Sequence, residues 1–448
     1  MPRRLLCLLL LAASTRVIAC ALTPVPGRDG VAYLWLAQAF AAGDHDELFA
    51  HVFHPFYPLL TSLLLRAAPG LDLVLAGQLV ASACSVLTVW PLWHLARQHF
   101  GERAATWACL CFALGTWFAR HPAECMSEAT FQLLAVAWAL ALFAATPRPL
   151  LAGLAAGAAF LTRPEGAAFL LVGTALALHA RAWRNAAVHA VAGGALAGLL
   201  PLAYFATGRG FVLTPKIGFN WDVGIGGAAS PIAHYLSNLL QLPGHAFDGL
   251  GYTTLPLLLV GVFVHRRSWR AIDTALLAPF VLQCAVIPLL RSNLRFVAGT
   301  GVLLLPFAGA AAVALVRRRA HLVGLAVLLA VSEARLWLPR PDRADRTAER
   351  EVGRWLATRL RDGETIASDM PRLVFFAHRR PPPPRAITDA DLLAAAADAH
   401  CRIVVWKQDR SAPDRDALAR LGFTPIEPPA AVRSVPGAGD FHIVDRTP

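Results

Sequence analysis

Charge is scarce in this chain. Asp, Glu, Lys and Arg make up only 16% of its 448 residues, against about a quarter in a soluble protein. Lysine is almost missing: Lys216 and Lys407 stand beside 39 arginines, an imbalance that reflects a GC-rich genome rather than chemistry. No Cys-x-x-Cys pair occurs. Cys7, Cys84, Cys109, Cys111 and Cys284 lie inside apolar runs, so neither a zinc site nor a disulfide framework is indicated. No metal-ligand cluster is visible, and no metal requirement is expected. No Gly-rich phosphate loop marks the C-terminal region, so nothing there supports nucleotide binding. No clear internal repeat is present.

What the chain does have is apolar length. It is 56% hydrophobic with a mean hydropathy of +0.51. Apolar runs recur from Leu5 to Leu338, the pattern of a polytopic α-helical membrane protein. Met1 to Ala21 resembles a signal peptide, and Val17-Ile18-Ala19-Cys20 a lipoprotein cleavage box. Arg16 interrupts its apolar centre, however, and Arg3-Arg4 suit a retained first helix that starts in the cytoplasm. Reading on gives about eleven transmembrane helices, several shorter than the roughly 20 residues of a straight span. The alternate ends carry Arg97, Arg103, Arg148, Arg181, Arg184, Arg266, Arg267, Arg270 and Arg317 to Arg319. That is the arginine excess of cytoplasmic loops, so the formal charge of +12 is a topology signal and not a nucleic-acid patch. A first outer loop, Thr23 to Pro69, holds two half-buried helices near Val31–Ala42 and Tyr57–Ala68. A second long outer loop runs from Thr207 to Leu250. Residues 1–340 form the membrane domain. Residues 341–448 form a small periplasmic α/β domain with strands at Thr365–Ser368, Arg402–Trp406 and Phe441–Val444.

Ionisable residues gather on the outer side: Asp29, His54, Arg120, His121, Glu124, Glu128, Arg163, Glu165, Lys216, Asp222, Arg291 and Arg295. Such groups near membrane depth are costly and commonly functional. Arginines at helix ends also snorkel to headgroups, but carboxylates and histidines do not. Lys216 is the only lysine before residue 407, and its loop reads either as a lid or as periplasmic filler. Arg163-Pro164-Glu165 reads either as a self-contained ion pair ending a helix or as a substrate contact. Asp29 directly precedes an apparent helix from Gly30 to Ala42, where Asp is a favoured N-cap.

Several of these residues stand in a familiar order. Asp29-Gly30-x-x-Tyr33 comes first, then His54-Pro55-Phe56-Tyr57-Pro58, then Ser127-Glu128. Leu161 to Gly166 follows, and last Leu294-Arg295-Phe296 before a helix carrying Pro306. The succession resembles the GT-C glycosyltransferases that use polyprenyl-phosphate sugars, in the bacterial branch similar to the protein mannosyltransferases and the aminoarabinose transferase. The resemblance covers roughly residues 1–340. It implies a sugar donor on undecaprenyl phosphate, a glycan, lipid or protein acceptor, and Asp29 as catalytic base with inversion at the sugar. It implies no cofactor, since the lipid-linked sugar is a substrate, and an outer-facing site in the bacterial inner membrane. Arg295, Arg120, Lys216 and Arg163 become candidates for the donor phosphate. Tyr33, His54, Tyr57, His121, Glu124, Glu128 and Glu165 are further site candidates. One departure stands out: many relatives have Asp-Glu where this chain has Asp29-Gly30, so any second carboxylate must come from Glu124 or Glu128. The rival readings are a lipid or glycan transporter or flippase, and a lipid-linked glycan ligase or polymerase.

Overall fold

The computed structural model describes residues 2–49, 51–224, 226, 228, 230–290, 294–316, 319–334, 342–382, 387–407 and 413–446. Arg291, Arg317 and Arg318 lie outside these residues. The chain divides into two compact units, residues 1–22 with 37–337, and residues 23–36 with 338–448. The grouping of 23–36 with the C-terminal residues is not visible in the sequence.

The first unit is helical. Its elements in order are α1 (Arg3–Ala21), α2 (Arg28–Ala42, which starts in the second unit), α3 (His45–Phe49), α4 (Phe56–Ala67), α5 (Leu73–Phe100) and α6 (Glu102–Leu114). Next come α7 (Thr116–Ala123), α8 (Glu128–Leu142), α9 (Pro149–Thr162), α10 (Ala167–His179), α11 (Trp183–Ala206) and α12 (Pro215–Val223). The last are α13 (Pro231–Leu250), α14 (Thr254–His265), α15 (Ala271–Val286), α16 (Leu294–Gly301), α17 (Leu305–Leu315) and α18 (Arg319–Ser332). Five described helical stretches are long and apolar enough to cross a membrane, six when Pro231–Leu250 and Thr254–Ser268, bent by 106°, count as one. Five more apolar helices are only 10–17 residues long. The expected loop from Thr207 to Leu250 is largely helix: Pro215 and Pro231 each occupy the first turn of α12 and α13, where a missing N–H costs nothing.

Small residues let the short helices approach closely. On α9, a Cβ at Gly153 would come 2.5 Å from the His189 carbonyl oxygen, and one at Gly157 would come 2.6 Å from that of Gly193, both on α11. This Gly-x-x-x-Gly pair acts as membrane helix contacts do, by backbone proximity rather than by hydrophobic drive. Large rings fill the interior beside it. Phe169 stacks on Trp138 at 4.9 Å and on Phe131 at 5.4 Å, all three fully buried.

A break at Gly115 shapes the region of interest. α6 stops at Leu114, and a new helix, α7, carries Arg120 to Ala123. The reason is packing: a Cβ at Gly115 would lie 2.6 Å from the Phe118 ring, so only glycine permits so tight a turn. Such a break frees carbonyls on one side and N–H groups on the other. Both are met by side chains. Buried Arg16 on α1 donates to the carbonyls of Ala113 (2.6 Å) and Phe112 (3.0 Å) and to Ser85 Oγ (3.0 Å). Across the break, Glu333 accepts from the Thr116 N–H at 2.8 Å and from Thr116 Oγ1 at 2.7 Å. Arg16 thus tethers a break in the helix ladder, which explains its place in an apolar helix.

The second unit holds a four-stranded sheet in the order β1-β2-β4-β3. Its strands are β1 (Thr365–Ser368), β2 (Cys401–Lys407), β3 (Phe423–Pro425) and β4 (Phe441–Arg446). β1 runs parallel to β2, and β4 runs antiparallel to both β2 and β3. One face packs Ile403, Val405, Phe441 and Ile443 under α19 (Asp342–Ala357) and α20 (Pro371–Phe376). The other packs Val404, Trp406 and Val444 with α21 (Asp389–Ala397) and α22 (Arg415–Arg420). A short α23 (Ala430–Arg433) precedes β4.

Candidate active site

Helix ends place the polar residues of the first unit. Arg163 follows α9 in extended backbone (φ −157°, ψ 144°), and a 3₁₀ turn, Pro164–Gly166, folds back before α10. Gly166 is required there, because a Cβ would overlap the backbone of Ala159 and Phe160. The Arg163 side chain, 3% exposed, is held between two carboxylates: Nη1 lies 2.7 Å from Glu128 Oε1 and Nη2 lies 3.0 Å from Glu165 Oε1. Its guanidinium also rests over Phe296 at 5.5 Å. The Arg163–Glu165 pair is therefore not self-contained, since Glu128 joins it from the start of α8. The Glu128 contact is close but falls outside hydrogen-bond alignment, and both Glu128 oxygens lack a hydrogen-bond donor among the described residues.

A second group sits on α7. Arg120 Nε lies 2.5 Å from Glu124 Oε1, and its guanidinium stacks over Trp117 at 4.8 Å. His121 beside it is fully buried, and neither ring nitrogen has a hydrogen-bond partner among the described residues. Burial pushes its imidazole down to about 4, against the opposing pull of Glu128 and Glu124 and with help from Arg295 and Arg163. It is neutral at pH 7. Unmet buried polar atoms of this kind are rare and mark places for water or a ligand.

His54 precedes α4. Nδ1 meets the Phe160 carbonyl at 2.6 Å and Nε2 meets Thr214 Oγ1 at 2.7 Å. Burial first, then the Lys216 ammonium, lowers its imidazole to about 3. Lys216, in the first turn of α12, places Nζ 4.8 Å from the centre of the Phe53 ring. Arg295, at the start of α16, reaches the Met126 sulfur at 4.0 Å. The Tyr57 hydroxyl donates to the Gly77 carbonyl at 3.0 Å and so links α4 to α5. Asp29 and Tyr33 lie on the 23–36 segment, in the other unit. α2 begins at Arg28, so Asp29 lies inside the first turn rather than at the N-cap. It is half-buried, and Tyr33 is buried.

Beside Glu165 and Phe296 lies an apolar cavity of about 250 Å³, walled by Ala168 and Leu171 of α10, by Leu282 and Val286 at the end of α15 and by Leu290 after it. Gln283 borders it, donating to the Phe296 carbonyl at 2.7 Å and accepting from Thr300. Among the described residues no three His, Cys, Asp or Glu side chains are gathered as a metal site.

This architecture has known counterparts. Residues 55–205 match the family described as dolichyl-phosphate-mannose-protein mannosyltransferases. ArnT from Cupriavidus metallidurans, solved bound to undecaprenyl phosphate, superposes with a TM-score of 0.63 at 16% identity, over 98% of this chain and 98% of that one. The oligosaccharyltransferase AglB from Archaeoglobus fulgidus, in complex with an inhibitory peptide and a dolichol-phosphate, gives 0.60 at 14% identity, over 93% of this chain and 70% of that one. An Archaeoglobus fulgidus oligosaccharyltransferase in complex with Zn and sulfate gives 0.62 at 16% identity, over 94% of this chain and 72% of that one. No curated protein matches in sequence. The chain shares its fold with ArnT and AglB. Within that fold, the sequence order of motifs becomes a spatial grouping: Glu128, Arg163 and Glu165 converge, and His121 shares their charges with Arg295. Three participants escape the sequence reading. Gln283 is a polar residue inside an apolar run, a signal available in principle. Thr214 precedes a proline that starts a helix, which reads as a cap rather than as a histidine partner. Glu333 is a carboxylate inside the apolar run Leu322–Leu338, a signal of the same kind.

Proposed function

We propose that this protein is a membrane glycosyltransferase that moves a sugar from a polyprenyl-phosphate donor to an acceptor on the outer face of the bacterial inner membrane. The observation that carries this reading is the cluster of arginine, lysine and carboxylate side chains next to the apolar cavity at Glu165 and Phe296. A lipid phosphate needs both: cations for its head and an apolar channel for its first isoprene units. The likeness to ArnT solved with undecaprenyl phosphate supports the same choice.

In this reading the acceptor attacks C1 of the sugar as the lipid phosphate departs, and one displacement inverts that centre. Negative charge grows on the phosphate, and prearranged cations there lower the barrier. Arg120 and Arg163 hold carboxylates, and Arg295 and Lys216, which open α16 and α12, are assigned to the phosphate. Arg295 has the planar fork that matches phosphate oxygens. Glu128 and Glu165 then fix Arg163, and the open acceptor atoms of Glu128 and His121 are left for hydroxyls of the sugar. Asp29 is assigned the proton of the acceptor hydroxyl. A helix N-terminus stabilises its negative charge, the form a base requires. No resident cofactor enters the reading, because the lipid-linked sugar is a substrate.

Asp29→Asn tests it. Asn preserves size and hydrogen bonding at the helix start and loses only about 0.3–1 kcal/mol of dipole interaction. As a general base, Asp29 is worth about 10²- to 10⁴-fold in rate. Transfer of labelled sugar from synthetic polyprenyl-phosphate donors by reconstituted protein should fall by that factor with an almost unchanged melting temperature. Near wild-type transfer by Asp29→Asn removes Asp29 as base. Absence of transfer by the wild type across single-sugar donors, with transfer from lipid-linked oligosaccharides, moves the protein to the ligase class.

A further inference from the structure

The second unit contains a cavity of about 570 Å³ that plays no part in the chemistry above. It exists because β3 is short. β3 pairs with β4 only from Phe423↔Arg446 to Pro425↔Val444. The Ile426 N–H then donates to the Ile443 carbonyl at 3.0 Å and the chain turns away. On the side away from β2, β4 therefore has no strand beside Phe441 and His442 among the described residues. The cavity fills that place. Successive β4 residues from Phe441 to Val444 all line it, and successive strand residues point to opposite faces, so it wraps the open edge.

Its polar lining is mixed in a particular way. Trp406 is 3% exposed, and its indole Nε1 has no hydrogen-bond partner among the described residues. An indole N–H is a donor only and seeks a partner when buried. His442 stacks on Trp406 at 5.4 Å. Burial, then the Arg415 guanidinium, lowers its imidazole, and in its neutral form the ring offers one donor and one acceptor. Arg415 and Arg433 share the lining with Asp416 and Glu427, and Arg433 Nη1 lies 2.8 Å from Glu427 Oε2. The charges balance, so the lining selects neither an anion nor a cation. Donors and acceptors share the lining with the apolar side chains of Phe423, Pro425 and Ile426. A hydroxyl both donates and accepts, so a ring bearing several hydroxyls satisfies this lining where a carboxylate or an amine does not. The volume lies within the roughly 300–1,000 Å³ of small-molecule sites.

We infer that the open edge of β4 in the second unit is a binding site for a neutral sugar residue, separate from the site of transfer. The choice of a sugar over another polyol rests on the transferase reading. The existence of a site for a neutral hydroxylated ligand does not.

The test is saturation-transfer NMR on the full-length protein in nanodiscs, with methyl glycosides of glucose, galactose, mannose and N-acetylglucosamine as probes, and an extended acetylated hexapeptide as the rival occupant of a strand edge. At least one glycoside should receive saturation, and undecaprenyl phosphate should not displace it. Trp406→Phe removes the N–H and keeps most of the ring. Arg415→Ser changes an exposed residue with little risk to folding. Each should weaken binding about tenfold, the effect of one well-made hydrogen bond. Four results overturn the inference: no glycoside binding, binding indifferent to both variants, displacement by undecaprenyl phosphate, or binding of the hexapeptide alone. If Asp29→Asn retains transfer while glycoside binding follows Trp406 and Arg415, the catalytic assignment fails and this site stands. If binding fails while Asp29→Asn abolishes transfer, the reverse holds.

Discussion

Arg163 offers the sharpest test of the cluster, because two carboxylates depend on it. Arg163→Met keeps the length of the side chain and removes the cation. Glu128, completely buried, and Glu165, with 16% of its side chain exposed, then keep their charges with no guanidinium between them. Removing one partner of a buried pair costs about 3–5 kcal/mol, and the upper end applies because two anions are stranded. Glu128→Gln is milder. Arg163 still holds Glu165 at 3.0 Å, so only the charge term of one contact is lost, about 1.5–3 kcal/mol. In the double variant the glutamine no longer needs the arginine. Its cost should fall short of the sum of the single costs by about 2 kcal/mol, within the range for residues in direct contact. Reversible unfolding of the reconstituted protein measures all four corners of the cycle. Additivity within about 0.5 kcal/mol would refute the idea that Arg163 is held by Glu128.

Three other outcomes follow from the same geometry. His54 and His121 titrate near 3 and 4 in the folded protein, below the ordinary value of about 6.5. The folded state therefore binds fewer protons than the unfolded one. Stability is complete above about pH 6.5 and falls as pH drops toward 4 and then 3, by up to ~1.4 kcal/mol per pH unit for each ring; a melting temperature that is flat from pH 7 to 4.5 contradicts this. Glu333→Ala leaves the Thr116 N–H unpaired at the start of α7, while the Thr116 hydroxyl keeps the backbone carbonyl of residue 333 at 3.1 Å, and should cost about 1.5–3 kcal/mol, with Glu333→Gln recovering part of both stability and transfer; an Ala variant as stable and active as the wild type shows that α7 does not need this cap. Arg295→Lys keeps the charge but loses the fork, so the KM for the lipid donor should rise, and rise further in Arg295→Ala; unchanged kinetics in both returns Arg295 to the class of headgroup anchors.

The sequence reveals the fold where order is local. Apolar runs mark the helices, arginine bias supplies an orientation, and β1, β2 and β4 lie within one or two residues of their expected positions. β3 escapes because it is three residues long and ends in Pro425, a residue confined to strand edges. Site membership is legible as a list, because charged residues are conspicuous in an apolar chain. Their pairing is not. Glu128 stands 35 residues before Arg163, and Glu333 stands 217 residues from Thr116; no periodicity reports such contacts. The Gly153 to Gly157 spacing on α9 is visible in the sequence, but its partner on α11 becomes evident only in the packing.

One rule links the residues that were legible with those that were not. The charged and imidazole side chains of the cluster lie at interruptions of helices, not in their middles. Arg120, His121 and Glu124 follow the break at Gly115, and Cys125 takes a left-handed turn (φ 58°) just before Glu128 starts α8. Arg163 and Glu165 occupy the step between α9 and α10. His54 precedes α4, Lys216 opens α12 and Arg295 opens α16. Irregular backbone at membrane depth is tolerated only inside protein or facing a polar cavity, and each interruption exposes N–H or carbonyl groups that polar side chains can meet. Arg16 and Glu333 do that at Gly115 alone. A chain that breaks its helices several times around one cluster incurs the cost of each break, and it gains a rigid set of charges beside an apolar cavity. Single long spans would have been the more stable way to cross a membrane. The repeated breaks are therefore a physical feature that favours the proposed chemical role of this cluster over anchoring.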